Sequence, residues 1–245
     1  PLSLLSAPAG YGKSTLVSQW LENTRALHTW ISLDEEHNDL QSFLLYLCAA
    51  IEKIFADSLE KTTELLKISE IPPVKVISTT LINELDRIEQ DFILVLDDYH
   101  HIHEEKINQL IDDILRFPPE HLHLVLITRR DPSLRLHAFR LHNRITEIRM
   151  HDLAFNEKEI VSLFQKMGIF ALDHKTTQIL HEKTEGWIVG LRLASMGIKN
   201  QNDLNIFLQN LKGDIHLVSE FLMEEVITNQ PPEMKEAMLF ASILD

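Results

Sequence analysis

The stretch that decides the fold is Ala7-Pro8-Ala9-Gly10-Tyr11-Gly12-Lys13-Ser14-Thr15. It joins a short apolar run, Leu2–Ser6, to an amphipathic helical segment. Gly10 and Gly12 allow the backbone to curl so that successive N–H groups point inward at an anion. The helix that follows adds the positive end of its dipole, roughly +0.5 charge. This order of strand, glycine loop, Lys-Ser and helix predicts a phosphate-binding Walker A loop.

Each polar group of the loop then has a chemical role in binding ATP or ADP with Mg²⁺. Backbone N–H groups from Ala9 to Thr15 are predicted to bind phosphate, Lys13 to reach the β- and γ-phosphates, and the Ser14 hydroxyl to ligate Mg²⁺. Ala7 stands where the motif usually has its first glycine, and we expect only minor consequences. The alternative is a strand–helix turn that binds no ligand, which the order of these elements disfavours.

A second polar group follows the apolar run Phe92–Leu96, which ends in Asp97 and Asp98. The carboxyl ends of parallel strands meet at one sheet edge, where the glycine loop also lies. Asp97 is therefore predicted to hold Mg²⁺, partly through water, and Asp98 to position or deprotonate the attacking water. An acidic pair after a strand is otherwise a common helix cap or turn. Arg129 follows another apolar run and is a candidate sensor of the γ-phosphate, with a solvated arginine as the alternative.

Apolar runs alternate with amphipathic segments, which predicts an α/β fold with a parallel sheet. The candidate strands are Leu2–Ser6, His28–Leu33, Phe92–Asp97, Leu122–Thr128 and Ile145–Arg149. Two of them contain continuously apolar stretches, which predicts strands that are covered on both faces. After about residue 150 the strands cease, and helices are predicted over 157–167, 174–184 and 187–197. Asn156 and Glu159 have the spacing of a capping box at the first of these helices.

Composition excludes several function classes. The 245 residues carry 23 basic and 37 acidic side chains, a net charge of −14, which disfavours nucleic-acid binding by these residues themselves. No apolar run approaches the ~20 residues that cross a bilayer, and the single cysteine, Cys48, fits a reducing cytoplasm. The cluster His100, His101 and His103 lacks cysteine partners at zinc-like spacing, so we predict no metal besides Mg²⁺. Apolar residues at both ends are expected of a segment from a longer protein.

Several motifs in one order resemble the MalT-like signal-transduction ATPases, and the resemblance spans essentially the whole chain. The shared motifs are Ala7–Thr15 with Trp20, Thr29–Asp39, Leu94–His100, Thr128–Pro132, Thr184–Leu191 and Ala241–Asp245. The resemblance implies a P-loop NTPase sheet of five parallel strands, ordered 5-1-4-3-2, over residues 1–150. A helical domain over 151–200 and the start of a winged-helix domain over 201–245 are implied to follow.

The resemblance also implies a regulatory switch in a transcription activator of the LuxR type. An ADP form is implied to be inactive, whereas ATP and an unknown inducer favour self-association, and slow hydrolysis restores the inactive form. The inducer and the DNA are expected to bind domains outside this chain. The Gly186-Trp187-Ile188 turn matches a motif that contacts adenine or its surroundings in related ATPases, or else serves as a structural turn. A small-molecule phosphotransferase and the same switch joined to a kinase or cyclase output remain the alternatives.

Overall fold

The computed structural model describes residues 2–68, 71–169 and 172–197. These residues form two compact units. Within these ranges, the first unit holds residues 2–8 and 13–152, and the second holds Ala9–Gly12 and residues 153–197. The division predicted at residues 150 and 200 stays a prediction, and the predicted start of a winged-helix domain over 201–245 lies outside the described residues.

The first unit is built on five parallel strands in the order β2-β3-β4-β1-β5, which confirms the predicted α/β fold and the predicted order. The strands are β1 (Leu2–Ser6), β2 (Leu27–Ser32), β3 (Phe92–Asp97), β4 (Leu122–Thr128) and β5 (Ile145–Arg149). Four of them have the predicted bounds, and β2 begins and ends one residue earlier than predicted. Ser6 pairs with Thr128 of β4 and Arg149 of β5, so these three strands end at the same edge.

Helices connect the strands and continue after the sheet. They are α1 (Lys13–Asn23), α2 (Leu40–Glu52), α3 (Glu60–Leu66), α4 (Val74–Leu85), α5 (Glu105–Arg116), α6 (His137–Leu141), α7 (Met150–Leu153), α8 (Glu157–Lys166), α9 (His174–Thr184) and α10 (Ile188–Gly197). Single 3₁₀ turns lie at Glu35–His37 and Tyr99–His101. None of the helices in the described ranges has the length and apolarity that spanning a bilayer demands.

The sheet is covered on both faces because β3 and β4 contain continuously apolar stretches. In β3, Leu94 and Leu96 belong to a large cluster with α2, α3, α4 and α5, whereas Ile93 and Val95 belong to a smaller cluster with α1. Successive side chains of a strand point to opposite faces, so an uninterrupted apolar run supplies both clusters. Every residue of β3 is buried, and its polar end, Asp97, is held at the edge of the sheet.

The second unit has a small core where α8, α9 and α10 meet. Its fully or nearly fully buried apolar residues are Ile160, Phe164, Leu180, Leu191 and Ala194. Asn156 caps α8 by accepting from the Glu159 N–H (3.1 Å), while the Glu159 carboxylate accepts from the Asn156 N–H (2.9 Å). This reciprocal pair is the predicted capping box, and it satisfies two N–H groups that the first helical turn leaves without partners.

Candidate nucleotide-binding site

Lys13, the first residue of α1, is buried beneath the carbonyl groups of the preceding loop. Its ammonium donates to the carbonyls of Ala7 (2.8 Å) and Pro8 (2.9 Å), and the residue is only 7% exposed. Burial lowers the pKa of this ammonium, and the nearby charge of Arg129 lowers it further, whereas the two carboxylates that follow β3 oppose the shift. A cation in this position is suited to binding an anion that approaches the same edge of the sheet.

Ser14 and Asp97 come together from distant parts of the chain. The Ser14 hydroxyl donates to Asp97 Oδ1 at 3.1 Å, and Asp97 accepts a second bond from the Asp98 N–H at 2.9 Å. Asp97 is 6% exposed; burial raises the pKa of its carboxyl, and the bond from Ser14 opposes this rise. A hydroxyl and a carboxylate oxygen in contact form a donor set that suits Mg²⁺.

These two side chains supply only part of a coordination shell. Among the described residues, no group of three or more His, Cys, Asp or Glu side chains is arranged to hold a metal ion. Mg²⁺ in proteins commonly keeps several waters and shares its remaining positions with substrate phosphates. The residues present therefore fit a magnesium ion that arrives with a nucleotide, rather than one held in a cage of protein ligands.

Asp98 and His100 lie directly after Asp97 in a strained turn. Asp98 has a left-handed backbone, with φ of 54°, and its side chain is 41% exposed. Its Oδ1 lies 3.6 Å from Nδ1 of His100, whose side chain is 13% exposed and whose Nδ1 has no hydrogen-bond partner. The exposed carboxylate is accessible to water, as its predicted role requires, and the histidine beside it is a site feature that the motif analysis did not assign.

The two arginines after β4 have different surroundings. Arg129 is half-buried and close enough to Lys13 for its charge to lower the Lys13 pKa. Arg130 is exposed and donates to the His100 carbonyl at 3.3 Å, with its guanidinium also against the His103 ring. Arg129 therefore lies near Lys13, the predicted phosphate-binding residue, and Arg130 contacts the turn that follows Asp98.

Asp131 joins the ends of three strands, which sequence reasoning did not foresee. It accepts from the Ser6 hydroxyl (3.0 Å) at the end of β1, and it is bonded to Arg149 at the end of β5. These bonds, led by the one from Arg149, hold the pKa of the Asp131 carboxyl below its usual range. The network fixes the strand ends from which the glycine loop departs. Local sequence patterns gave no signal for it, because Asp131 lies 125 positions from Ser6 and 18 positions from Arg149.

The glycine loop has the backbone that the motif predicts. Gly10 and Gly12 have φ of 76° and 75°, a region that residues with a Cβ rarely adopt. Ala7 is absent from the positive-φ positions of the described chain, so its backbone does not require glycine. The minor consequence expected of this alanine for nucleotide binding stays a prediction. Tyr11 is half-exposed, and burial together with the Glu185 charge raises the pKa of its phenol. Thr15 lies exposed in the first turn of α1.

Ala9 and Gly10 are contacted by Trp187 inside the second unit. The Trp187 indole N–H donates to the Ala9 carbonyl at 3.0 Å. A Cβ added to Gly10 would lie 2.6 Å from Trp187 Nε1 and 2.7 Å from Val189 Cγ2. The Gly186-Trp187-Ile188 turn therefore lies against the loop backbone. The predicted contact of this turn with adenine or its surroundings stays a prediction, as do the assigned roles of the site residues.

Comparison with known proteins supports the resemblance that the motifs indicated. No protein-family model matches the chain. The chain is 30% identical to the HTH-type transcriptional regulator MalT of Yersinia pestis (strain Pestoides F), over 99% of this chain and 27% of that protein. It is 28% identical to the serine/threonine-protein kinase PknK of Mycobacterium tuberculosis (strain CDC 1551 / Oshkosh), over 100% of this chain and 22% of that protein. The predicted resemblance to the MalT-like ATPases is confirmed.

A solved structure is also similar. The Aeropyrum pernix ORC1 protein in complex with DNA matches 99% of this chain and 66% of its own, with a TM-score of 0.50 and 16% sequence identity. This likeness concerns the fold alone. The chain spans about a quarter of the length of the two relatives named above.

Proposed function

We propose that this chain is the ATP- and ADP-binding regulatory switch domain of a MalT-like, LuxR-type transcription activator. The observation that supports it most directly is the convergence of Lys13, Ser14 and Asp97 at the end of β3. In this proposal Lys13 binds the β- and γ-phosphates, Ser14 and Asp97 hold Mg²⁺, and Asp98 orients the attacking water. A bound Mg²⁺ would supply neutralisation of the phosphate charge.

Arg129 is proposed to distinguish ATP from ADP. It is half-buried and lies near Lys13, so a third phosphate group held by the lysine would come within reach of its guanidinium. An interaction that forms with ATP but not with ADP lets the two nucleotides favour different conformations of the protein, because a ligand shifts a two-state equilibrium only through different affinities for the two states. Hydrolysis then removes this difference and restores the ADP form. Such a switch needs tight binding and slow turnover rather than rapid catalysis.

The two relatives support a regulatory role over a metabolic one. One is a transcription regulator and the other a protein kinase, yet both match this chain over 99–100% of its length and only 22–27% of their own. The matched region is thus common to proteins with different outputs. We infer that it supplies nucleotide-dependent control in the cytoplasm, whereas DNA binding, inducer binding and nucleotide-dependent self-association involve the longer protein. A kinase output joined to the same switch is the second candidate, favoured by the similarity to the kinase.

The first test identifies the nucleotide that copurifies with the protein. We expect stoichiometric ADP to be released on denaturation of the parent chain and to be absent from Lys13→Ala. Lys106→Ala, which removes an exposed lysine of α5, is the matched control and should retain ADP. Loss of two or more hydrogen bonds from a charged donor, at about 1.5–3 kcal/mol each, predicts at least 100-fold weaker ADP binding.

The outcomes separate the alternatives. ADP that is retained by Lys13→Ala would contradict the assigned role of the lysine, and rapid turnover dependent on a small acceptor would favour the phosphotransferase. If the parent protein neither copurifies with nor binds ADP or ATP, the proposed function is wrong. Small-angle scattering of the full-length protein with ADP and with a non-hydrolysable ATP analogue then tests the switch, which requires different scattering curves for the two nucleotides.

A further inference from the structure

The turn before α10 is fixed by backbone contacts inside the second unit. Gly186 has φ of 72°, and the Phe155 N–H donates to its carbonyl at 2.9 Å. A Cβ at Gly186 would lie 2.5 Å from the Phe155 carbonyl oxygen, so the two backbones approach as closely as glycine permits. The Trp187 N–H donates to the Thr184 carbonyl at 2.8 Å. The backbone of Trp187 is therefore held in place by contacts of the turn itself.

From this fixed position the Trp187 indole contacts two consecutive residues of the glycine loop, which belong to the same unit. Its N–H donates to the Ala9 carbonyl at 3.0 Å. Its ring, together with Val189, occupies the space in which a Cβ of Gly10 would lie. Two features therefore favour glycine at position 10: its φ of 76°, and the indole that lies against its Cα.

The bond to Ala9 determines which way the next N–H group faces. The peptide between Ala9 and Gly10 is planar and trans, as are all described peptides of the chain. In a trans peptide the carbonyl and the N–H point in opposite directions. A carbonyl that is held toward the indole therefore turns the Gly10 N–H away from Trp187.

We propose that Trp187 is a positioning residue of the phosphate-binding loop: its indole N–H holds the Ala9 carbonyl and thereby aims the Gly10 N–H at phosphate. The proposal rests on the proposed nucleotide binding. Loops that bind phosphate do so with several N–H groups oriented before the anion arrives. Without the indole bond, the Ala9–Gly10 peptide is free to rotate. The entropy lost in orienting it when phosphate binds then weakens that binding.

The decisive variant is Trp187→Phe, which keeps an aromatic ring but removes the N–H donor. We expect this variant to bind ADP about 3- to 10-fold more weakly, the effect of one hydrogen bond between uncharged groups, measured by titration calorimetry. Trp20→Phe is the matched control, since Trp20 is 43% exposed on α1, and its ADP affinity should stay within about twofold of the parent. Thermal unfolding of both variants shows whether the fold is preserved.

Nuclear magnetic resonance of the nucleotide-free protein reports directly on the indole hydrogen bond and on the Gly10 amide. A variant that only lowers the stability of the fold would leave both signals unchanged. The chain has three tryptophans and seven glycines, so the Trp187 indole signal and the Gly10 amide signal can be assigned from single variants. We expect the indole proton to be protected from exchange and the Gly10 amide to shift in Trp187→Phe but not in Trp20→Phe.

Three results would overturn the proposal: equal ADP affinity of Trp187→Phe and the parent, an unprotected indole proton, or an unchanged Gly10 amide. Each of these leaves the proposed function intact when the parent binds ADP. A parent protein that binds no nucleotide overturns the proposed function and this role together, and so is distinguished from failure of the role alone.

Discussion

His100 is expected to remain neutral far below the pH at which a histidine in water takes up a proton. Burial of the ring, the largest cause, and four nearby groups together lower its pKa to about 3. These neighbours are His101, Arg129, Lys13 and Arg130. Among the described residues, the carboxylate that pairs with the ring is that of Asp98, 3.6 Å from Nδ1 and 41% exposed, which is too weak a partner to offset them.

The sign of the effect on stability follows from proton binding. Between the unfolded pKa of about 6.5 and the folded value, the unfolded chain binds a proton at this side chain and the folded chain does not. Stability due to His100 is therefore fully present above pH 6.5 and is lost as the pH falls. The slope is at most about 1.4 kcal/mol per pH unit, which gives a loss of up to about 2 kcal/mol at pH 5.

The perturbation is His100→Asn, which removes the titrating ring and keeps a polar side chain. Its free energy of unfolding should fall less between pH 6.5 and pH 5 than that of the parent, by up to about 2 kcal/mol. Hydrogen exchange of the β3 amides in urea measures this, because a fully buried strand reports the opening of the whole first unit.

His121→Asn is the control with the opposite sign. The His121 ring bonds to Asp91 Oδ1 at 2.8 Å, which raises the pKa of this partly exposed histidine. Its bond to Asp91 contributes to the free energy of unfolding at pH values below the pKa of the histidine in the unfolded chain. That contribution is lost as the pH rises. A ring titration of His100 with a midpoint between 6 and 7, or equal pH slopes for His100→Asn and the parent, would refute the reasoning.

Two further variants test contacts that support the two units. Glu84→Ala should destabilise the first unit by about 2–4 kcal/mol in urea unfolding, because this buried carboxylate accepts from two backbone N–H groups and the Thr62 hydroxyl. Gly186→Ala should lower the melting temperature of the second unit far more than Gly168→Ala. Both glycines have positive φ, but only a Cβ at Gly186 meets the Phe155 backbone; equal effects would contradict this.

The sequence predicted the elements whose signals are local. The apolar run of β3, the capping residues of α8 and the glycines of the phosphate loop each lie within a few positions of the structure that they specify. Strand bounds were correct for four strands because apolar runs end where the strands do. The strand order came from the resemblance to a family rather than from any pattern within the chain.

Helix α3 was missed because its first turn is stabilised from a distance. Its N-cap, Leu59, makes no side-chain bond, and the N–H groups of Lys61 and Thr62 are satisfied instead by Glu84 of α4. A capping signal that lies more than twenty positions away is invisible to a local pattern. Two other short helices, α6 and α7, were missed as well; neither contains a buried residue that could mark a periodic apolar face.

By itself the sequence determined the parallel sheet, and it predicted a phosphate-binding loop and a magnesium-binding carboxylate at its edge, since each depends on residue types at short spacing. Only the tertiary structure decided that Trp187 bonds to Ala9, 178 positions away, and that the His100 ring is buried among cations. Neither could be inferred from spacing. The hydrogen bond and the lowered pKa depend on which groups come within a few ångströms in space, which packing alone establishes.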